Sequence, residues 1–181
     1  MRGLACKPAK NAINTHSELE KMFELKPLHH DAVPAALEKA NRYRLLNEPG
    51  AAESIYLDIL AIEPDNQEAI VNIVLSMSDR FVKDYAVGEG RIQDFLAKIE
   101  GEYERAYYTG IVYERRAKAV LEKGGINAFE LFEQAMEWFE KAEAIRPAGN
   151  DDAILRWNGC ARIIKRNKLV PRELSAGDLL E

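Results

Sequence analysis

Apolar residues recur along most of the chain at three- and four-residue steps, the spacing that places them on one side of an α-helix. The first clear stripe consists of Leu37, Ala40, Tyr43 and Leu46. After residue 30 the spacing predicts seven helices, at about 34–46, 52–62, 67–80, 92–99, 103–121, 129–145 and from 151 to a point before Pro171. No segment shows sustained alternation of apolar and polar residues, so the sequence predicts an all-α fold without strands.

Proline and glycine mark the ends of these helices. Pro49-Gly50 predicts a tight turn, and Pro64 ends a helix because proline has no N–H and displaces its predecessor from the helical region. Residues 84–90, which contain two glycines, predict a loop, and Gly124-Gly125 predicts a helix C-terminus.

The periodicity divides the chain into three parts. Residues 1–30 have weak periodicity and predict a leader with one short helix from Ser17 to Leu25, because Ser17 and Glu20 have the spacing of a capping box. Residues 31–170 form the predicted helical domain, and residues 171–181 form a C-terminal tail.

Two segments of the helical domain share an internal repeat. Small, aromatic, small-or-aliphatic and proline positions follow one another at steps of four, three and five residues in both. They are Ala52, Tyr56, Ile59 and Pro64 in one segment, and Ala135, Phe139, Ala142 and Pro147 in the other. Ala40 and Tyr43 precede the first segment, and Gly110 and Tyr113 precede the second, with the same spacing between the two members.

This pattern resembles the tetratricopeptide repeat (TPR) family. The sequences of some segments are also similar to those of uncharacterised bacterial proteins of that kind. The resemblance covers about residues 33–165 and implies an α-α superhelix of about three irregular helix hairpins plus a C-terminal capping helix. The second repeat, 67–101, is degenerate. The third is long, because Gly110 precedes Ala135 by 25 residues where a regular repeat implies twelve.

The resemblance also implies a non-catalytic adaptor that binds a peptide or a partner helix in a concave groove. The groove residues it implies are Leu37, Asn41, Arg44, Glu68, Val71, Asn72, Leu75, Glu104, Tyr107, Tyr108, Ile111 and Arg115. Asn41 and Asn72 match the asparagines of the carboxylate clamp found in chaperone-binding TPR domains. Leu37, Glu104 and Tyr108 stand where that clamp has cations, so a partner held by side-chain packing and amide hydrogen bonds is expected.

Composition narrows the function classes. The 181 residues carry 25 basic and 30 acidic side chains, a net charge of −5, which argues against general nucleic-acid binding. No apolar run reaches the roughly 18 residues of a membrane-spanning helix, so no membrane partner is expected. Cys6 and Cys160 are too few for a disulfide framework, and a cytoplasmic location is expected.

Two alternatives to the adaptor come from local clusters. Residues 153–172 contain six basic side chains and no acidic one, which suggests either a solvated capping helix or a binder of acidic protein or nucleic acid. They are Arg156, Arg162, Lys165, Arg166, Lys168 and Arg172. His29 and His30 suggest a less favoured metal-dependent enzyme, although adjacent histidines point apart.

The combined prediction is a protein without cofactor, resident metal or catalytic residues. Cys160 lies on the apolar arc of the last helix with Trp157 and Ile164, which favours core packing over thiol chemistry. A homodimer is a further possibility, since a second copy can close the apolar stripe at the end of a short array.

Overall fold

The computed structural model describes residues 23–82 and 89–172, and all regular structure in these two ranges is helical. A 3₁₀ turn at His30–Ala32 precedes seven α-helices. They are α1 (Val33–Leu45), α2 (Pro49–Ile62), α3 (Gln67–Asp79), α4 (Glu89–Ala97), α5 (Glu102–Glu122), α6 (Ala128–Ala144) and α7 (Asp152–Asn167). The all-α prediction is therefore confirmed for this part of the chain.

Local sequence explains where these helices begin and end. Pro34 and Pro49 lie in first turns, where a missing N–H costs nothing. Asn66 caps α3, since its Oδ1 accepts a hydrogen bond from the Ala69 N–H at 3.0 Å. After α5, Gly124 has a φ of +72°, the left-handed conformation that ends many helices.

Two predicted boundaries differ from the structure. The short helix predicted from Ser17 to Leu25 lies mostly outside the described residues, and its end is wrong because residues 24 and 25 are not helical. Pro27 disfavours a helical conformation at Lys26, and residues 24–29 have no regular secondary structure. The loop predicted at 84–90 lies largely outside the described ranges, but α4 already includes Gly90, since a first helical turn tolerates glycine.

The helices pack in an alternating order. Each one contacts the next along the chain, and each odd-numbered helix also contacts the next odd-numbered helix: α1 with α3, α3 with α5, and α5 with α7. The odd-numbered helices therefore form a continuous layer, and the described chain contains three helix pairs followed by α7.

The core consists of two clusters that meet inside this layer. One comes chiefly from α1 to α4 and the other chiefly from α5 to α7. Val71 and Tyr108 pack against both clusters, and Leu75 of α3 belongs to the second. The repeated small and aromatic positions are buried as the sequence predicts: Ala52, Tyr56, Ala135 and Phe139 are all 0% exposed.

Candidate functional site

The candidate site is the surface formed by α1, α3, α5 and α7, which we call the odd-helix face. The implied groove residues lie on stripes of these helices, and several of them form the polar contacts that join one odd-numbered helix to the next. These contacts link α1, α3 and α5.

The first of these contacts joins α1 to α2 and α3. The buried Tyr56 hydroxyl donates a hydrogen bond to Oδ1 of Asn41 at 2.5 Å, and Nδ2 of Asn41 donates to Oε1 of Glu68 at 3.0 Å. Burial raises the pKa of Tyr56 to about 12, with Arg44 opposing and Glu68 adding to the rise. Asn41 therefore has a structural role whatever it binds.

Asn72, the second asparagine of the stripe, is half-buried. Its Nδ2 donates to the backbone carbonyl of Glu68 at 3.0 Å, which leaves its side-chain oxygen without a described hydrogen bond. An amide so held presents its acceptor in a fixed orientation.

An arginine pair joins α1, α3 and α5 through a single carboxylate. Arg44 Nε lies 2.9 Å from Oδ2 of Asp79, and Nη2 of Arg115 lies 3.0 Å from Oδ1 of the same residue. Nη1 of Arg115 also donates to the Leu75 carbonyl at 2.9 Å and to Oγ of Ser78 at 2.6 Å. Burial lowers the pKa of Arg115, Asp79 opposes this, and the nearby Arg44 and Arg156 lower it further.

A second cluster of the same kind joins α5 to α7. Glu114, which is 3% exposed, contacts Lys118 one turn later and lies 3.4 Å from Nη1 of Arg156. Burial lowers the pKa of Arg156, but a hydrogen bond with Tyr107 and the charge of Glu114 raise it more, so the net shift is upward. The two clusters together contain four cations and two carboxylates.

Tyrosines of α5 lie among these charges. The Tyr103 and Tyr107 rings stack at 5.8 Å between centroids, and Tyr107 meets Tyr108 edge to face at 5.3 Å. Tyr107 also contacts Phe139 of the core, which fixes the ring from below. Burial is the main cause that raises the pKa of Tyr108, followed by Tyr107 and Glu104.

The remaining implied residues divide by depth. Ile111 is 2% exposed and Leu75 is 9% exposed, so both lie in the core beneath the face. Leu37 and Val71 are half-buried, and Glu104 is exposed.

Sequence reasoning missed Asp79 and Glu114, although one signal was available. Asp79 continues the stripe of Glu68, Asn72 and Leu75 by one further step of four residues. Extending that stripe to the end of α3 finds the carboxylate on which both arginines converge.

Comparison with known proteins gives no family: no family model matches the chain, and neither the curated proteins nor the solved structures give a significant match. The assignment of function therefore depends on the chain's own residues.

The histidines and cysteines give weaker support for a functional site than the odd-helix face does. His30 Nε2 lies 3.1 Å from Oε1 of Glu63, and the described residues contain no group of three or more potential metal ligands. Cys160 is 0% exposed, as the prediction of core packing requires, and burial followed by the charge of Glu114 raises its pKa to about 12. His16 and Cys6 lie outside the described residues.

The basic stretch 153–172 does not form one patch. Arg156 is half-buried on the odd-helix face, whereas Arg162, Lys165, Arg166 and Lys168 are exposed on α7 and the turn that follows. None of the helices in the described ranges is long and apolar enough to cross a membrane.

Proposed function

We propose that this protein is a non-catalytic adaptor with a TPR-like superhelical arrangement, and that it binds a peptide or helix of a partner protein along the odd-helix face. The alternating contacts of the seven helices support the arrangement, since stacked helix hairpins bring every second helix together. The two widely separated cysteines support a reducing compartment such as the cytoplasm.

The observation that carries the proposal is the excess of positive charge in half-buried positions. Arg44 and Arg115 share Asp79, and Lys118 and Arg156 share Glu114, so each group has one more cation than carboxylate. The three arginines are half-buried, whereas Lys118 and the face carboxylates Glu68 and Glu104 are exposed. Half-buried arginines bind carboxylates more strongly than exposed ones, because solvent screens them less. The face therefore favours a partner segment with acidic side chains.

The tyrosines supply the second part of the recognition. Tyr107 and Tyr108 are half-buried, their rings are held against Phe139 and the core, and they lie between the two arginine clusters. Rigid aromatic rings lose little conformational entropy on binding and are typical anchors of interfaces. A segment with an apolar residue next to an acidic one complements this arrangement.

Selection from a displayed library of random peptides tests the proposal and does not require the partner to be identified first. Immobilised wild-type protein is expected to enrich peptides that contain Asp or Glu beside an apolar residue. The Asn72→Ala/Tyr108→Ala variant is expected to bind the enriched peptides at least about tenfold more weakly, measured by fluorescence anisotropy.

Gln93→Ala/Trp138→Ala is a matched control. It also removes one amide and one aromatic ring, but from α4 and α6, where both residues line a cleft that these helices form with α5. This variant is expected to bind with wild-type affinity. Failure to enrich any peptide, or equal loss of affinity in both variants, would contradict the proposed site.

A further inference from the structure

A second surface, separate from the odd-helix face, is the groove between α6 and α7. It encloses a cavity of about 490 Å³, and its floor is apolar. The floor residues are Phe129, Met136, Trp157, Ala161 and Ile164, all half-buried. Nε1 of Trp157 donates to Oε1 of Glu140 at 2.9 Å, so the indole is fixed across the groove.

Within the described residues, no helix covers the floor of this groove. α4 packs on α3 and α5, and α6 packs on α5 and α7, but no described helix follows α7. Among the described helices, α7 therefore has no following helix packed against it.

The two walls of the groove carry opposite charges. On the α6 side stand Glu133, Glu137 and Glu140. On the α7 side Lys165 lines the groove, and the exposed Arg162 is its neighbour one turn earlier on the same side of the helix. The exposed Arg166 lies about 100° further around the helix from Lys165. Within the described parts of the chain none of these three cations forms an ion pair.

The chain's own continuation complements only one of these walls. After α7 the chain turns at Lys168, and the backbone N–H of Arg172 donates to Oε1 of Glu130 at 2.7 Å, beside Phe129 at the end of the groove. The residues that come next, 173–181, contain three acidic side chains and no basic one. Their charge is opposite to that of the α7 wall and like that of the α6 wall, so they do not complement both walls at once.

We propose that a second copy of this chain covers the groove in an isologous dimer. Rotation by 180° about an axis along the groove places α7 of each copy over α6 of the other. Both charged walls are then paired, and the two apolar floors meet. The result is a four-helix packing in which neighbouring helices run antiparallel, and it leaves the odd-helix face accessible.

The size of the surface predicts a moderate affinity. Two helix faces, each about 24 Å long and about 10 Å wide, give a footprint of roughly 500 Å² on each copy. Stable interfaces bury at least about 600 Å² per partner, so we expect a dimer that dissociates on dilution. The sedimentation coefficient is therefore expected to rise with concentration between about 1 and about 200 μM.

Charge reversal provides the decisive experiment, because the proposed pairing is between different helices of the two copies. One variant, Glu133→Lys/Glu137→Lys/Glu140→Lys, makes both walls basic. The other, Arg162→Glu/Lys165→Glu/Arg166→Glu, makes both walls acidic. Each alone is expected to be monomeric by analytical ultracentrifugation, and an equimolar mixture is expected to form a heterodimer at least about tenfold tighter than either homodimer.

A matched control reverses three exposed acids elsewhere, Asp65→Lys/Asp94→Lys/Glu100→Lys, and should dimerise like the wild type. Circular dichroism checks that each variant remains helical. A wild type that stays monomeric at about 200 μM, or variants that dimerise as strongly alone as in the mixture, would overturn the proposal.

Discussion

Gly110 of α5 lies directly against the ring of Phe139 in α6: a Cβ atom at Gly110 would stand 2.6 Å from Cε1 of that ring. The two helices approach so closely here because one contributes no side chain. Phe139 in turn supports Tyr107 at 6.0 Å between centroids, so this contact also fixes a tyrosine of the odd-helix face.

Gly110→Ala is expected to destabilise the protein by about 1–3 kcal/mol, because the fully buried ring must shift to admit the methyl group. Urea denaturation followed by circular dichroism measures the change. Gly159→Ala in α7 is the control, since a Cβ there meets nothing within 4 Å. The free energy of unfolding of that control should rise by up to about 1 kcal/mol, because alanine has a higher helix propensity than glycine. Equal changes in the free energy of unfolding at the two positions would contradict the close packing.

Asp79→Asn is expected to lower the free energy of unfolding by about 1–2 kcal/mol, because it leaves two half-buried arginines without their carboxylate. The side chains of Arg44, Arg115 and Asp79 are 24%, 22% and 27% exposed, so solvent screening keeps the loss below that of a fully buried pair. Glu38→Gln removes the carboxylate of the exposed Arg42 pair and should change stability by no more than about 0.5 kcal/mol. Similar losses in both variants would contradict the structural role of Asp79.

The raised pKa of the buried Tyr56 predicts that the protein loses stability at alkaline pH. Its pKa is raised to about 12 in the folded protein, while a tyrosine in the unfolded chain ionises near 10. The folded state therefore holds the proton more tightly, and the contribution of this group is complete below about pH 10 and declines as the pH rises toward about 12. Tyr56→Phe should show a smaller decline between these values in urea denaturation series, and an unchanged decline would refute this origin.

Much of the architecture follows from local patterns. Asn66, Pro64 and the glycines at 124 and 125 act within one turn of their own positions, so the ends of α2, α3 and α5 can be predicted from sequence. The burial of Ala135 and Phe139 follows from helical periodicity in the same way.

The polar chemistry of the odd-helix face depends on contacts between helices, which periodicity does not reveal. Arg44 and Arg115 are 71 positions apart in the sequence, yet both contact Asp79. Arg156 belongs by sequence to a basic stretch, but the packing of α7 on α5 turns it toward Glu114. The stripes locate such residues on a helix, and only the packing of the helices shows which ones meet.

The central claim, that a partner segment binds the odd-helix face, is tested most directly by mapping a selected peptide on the ¹⁵N-labelled protein. Amide chemical-shift changes are predicted to concentrate on α1, α3, α5 and α7, with the largest near Tyr108, Arg44 and Arg115. The Arg115→Gln variant should bind the same peptide more weakly than the wild type does. Changes confined to α2, α4 and α6, or to the groove between α6 and α7, would contradict the account.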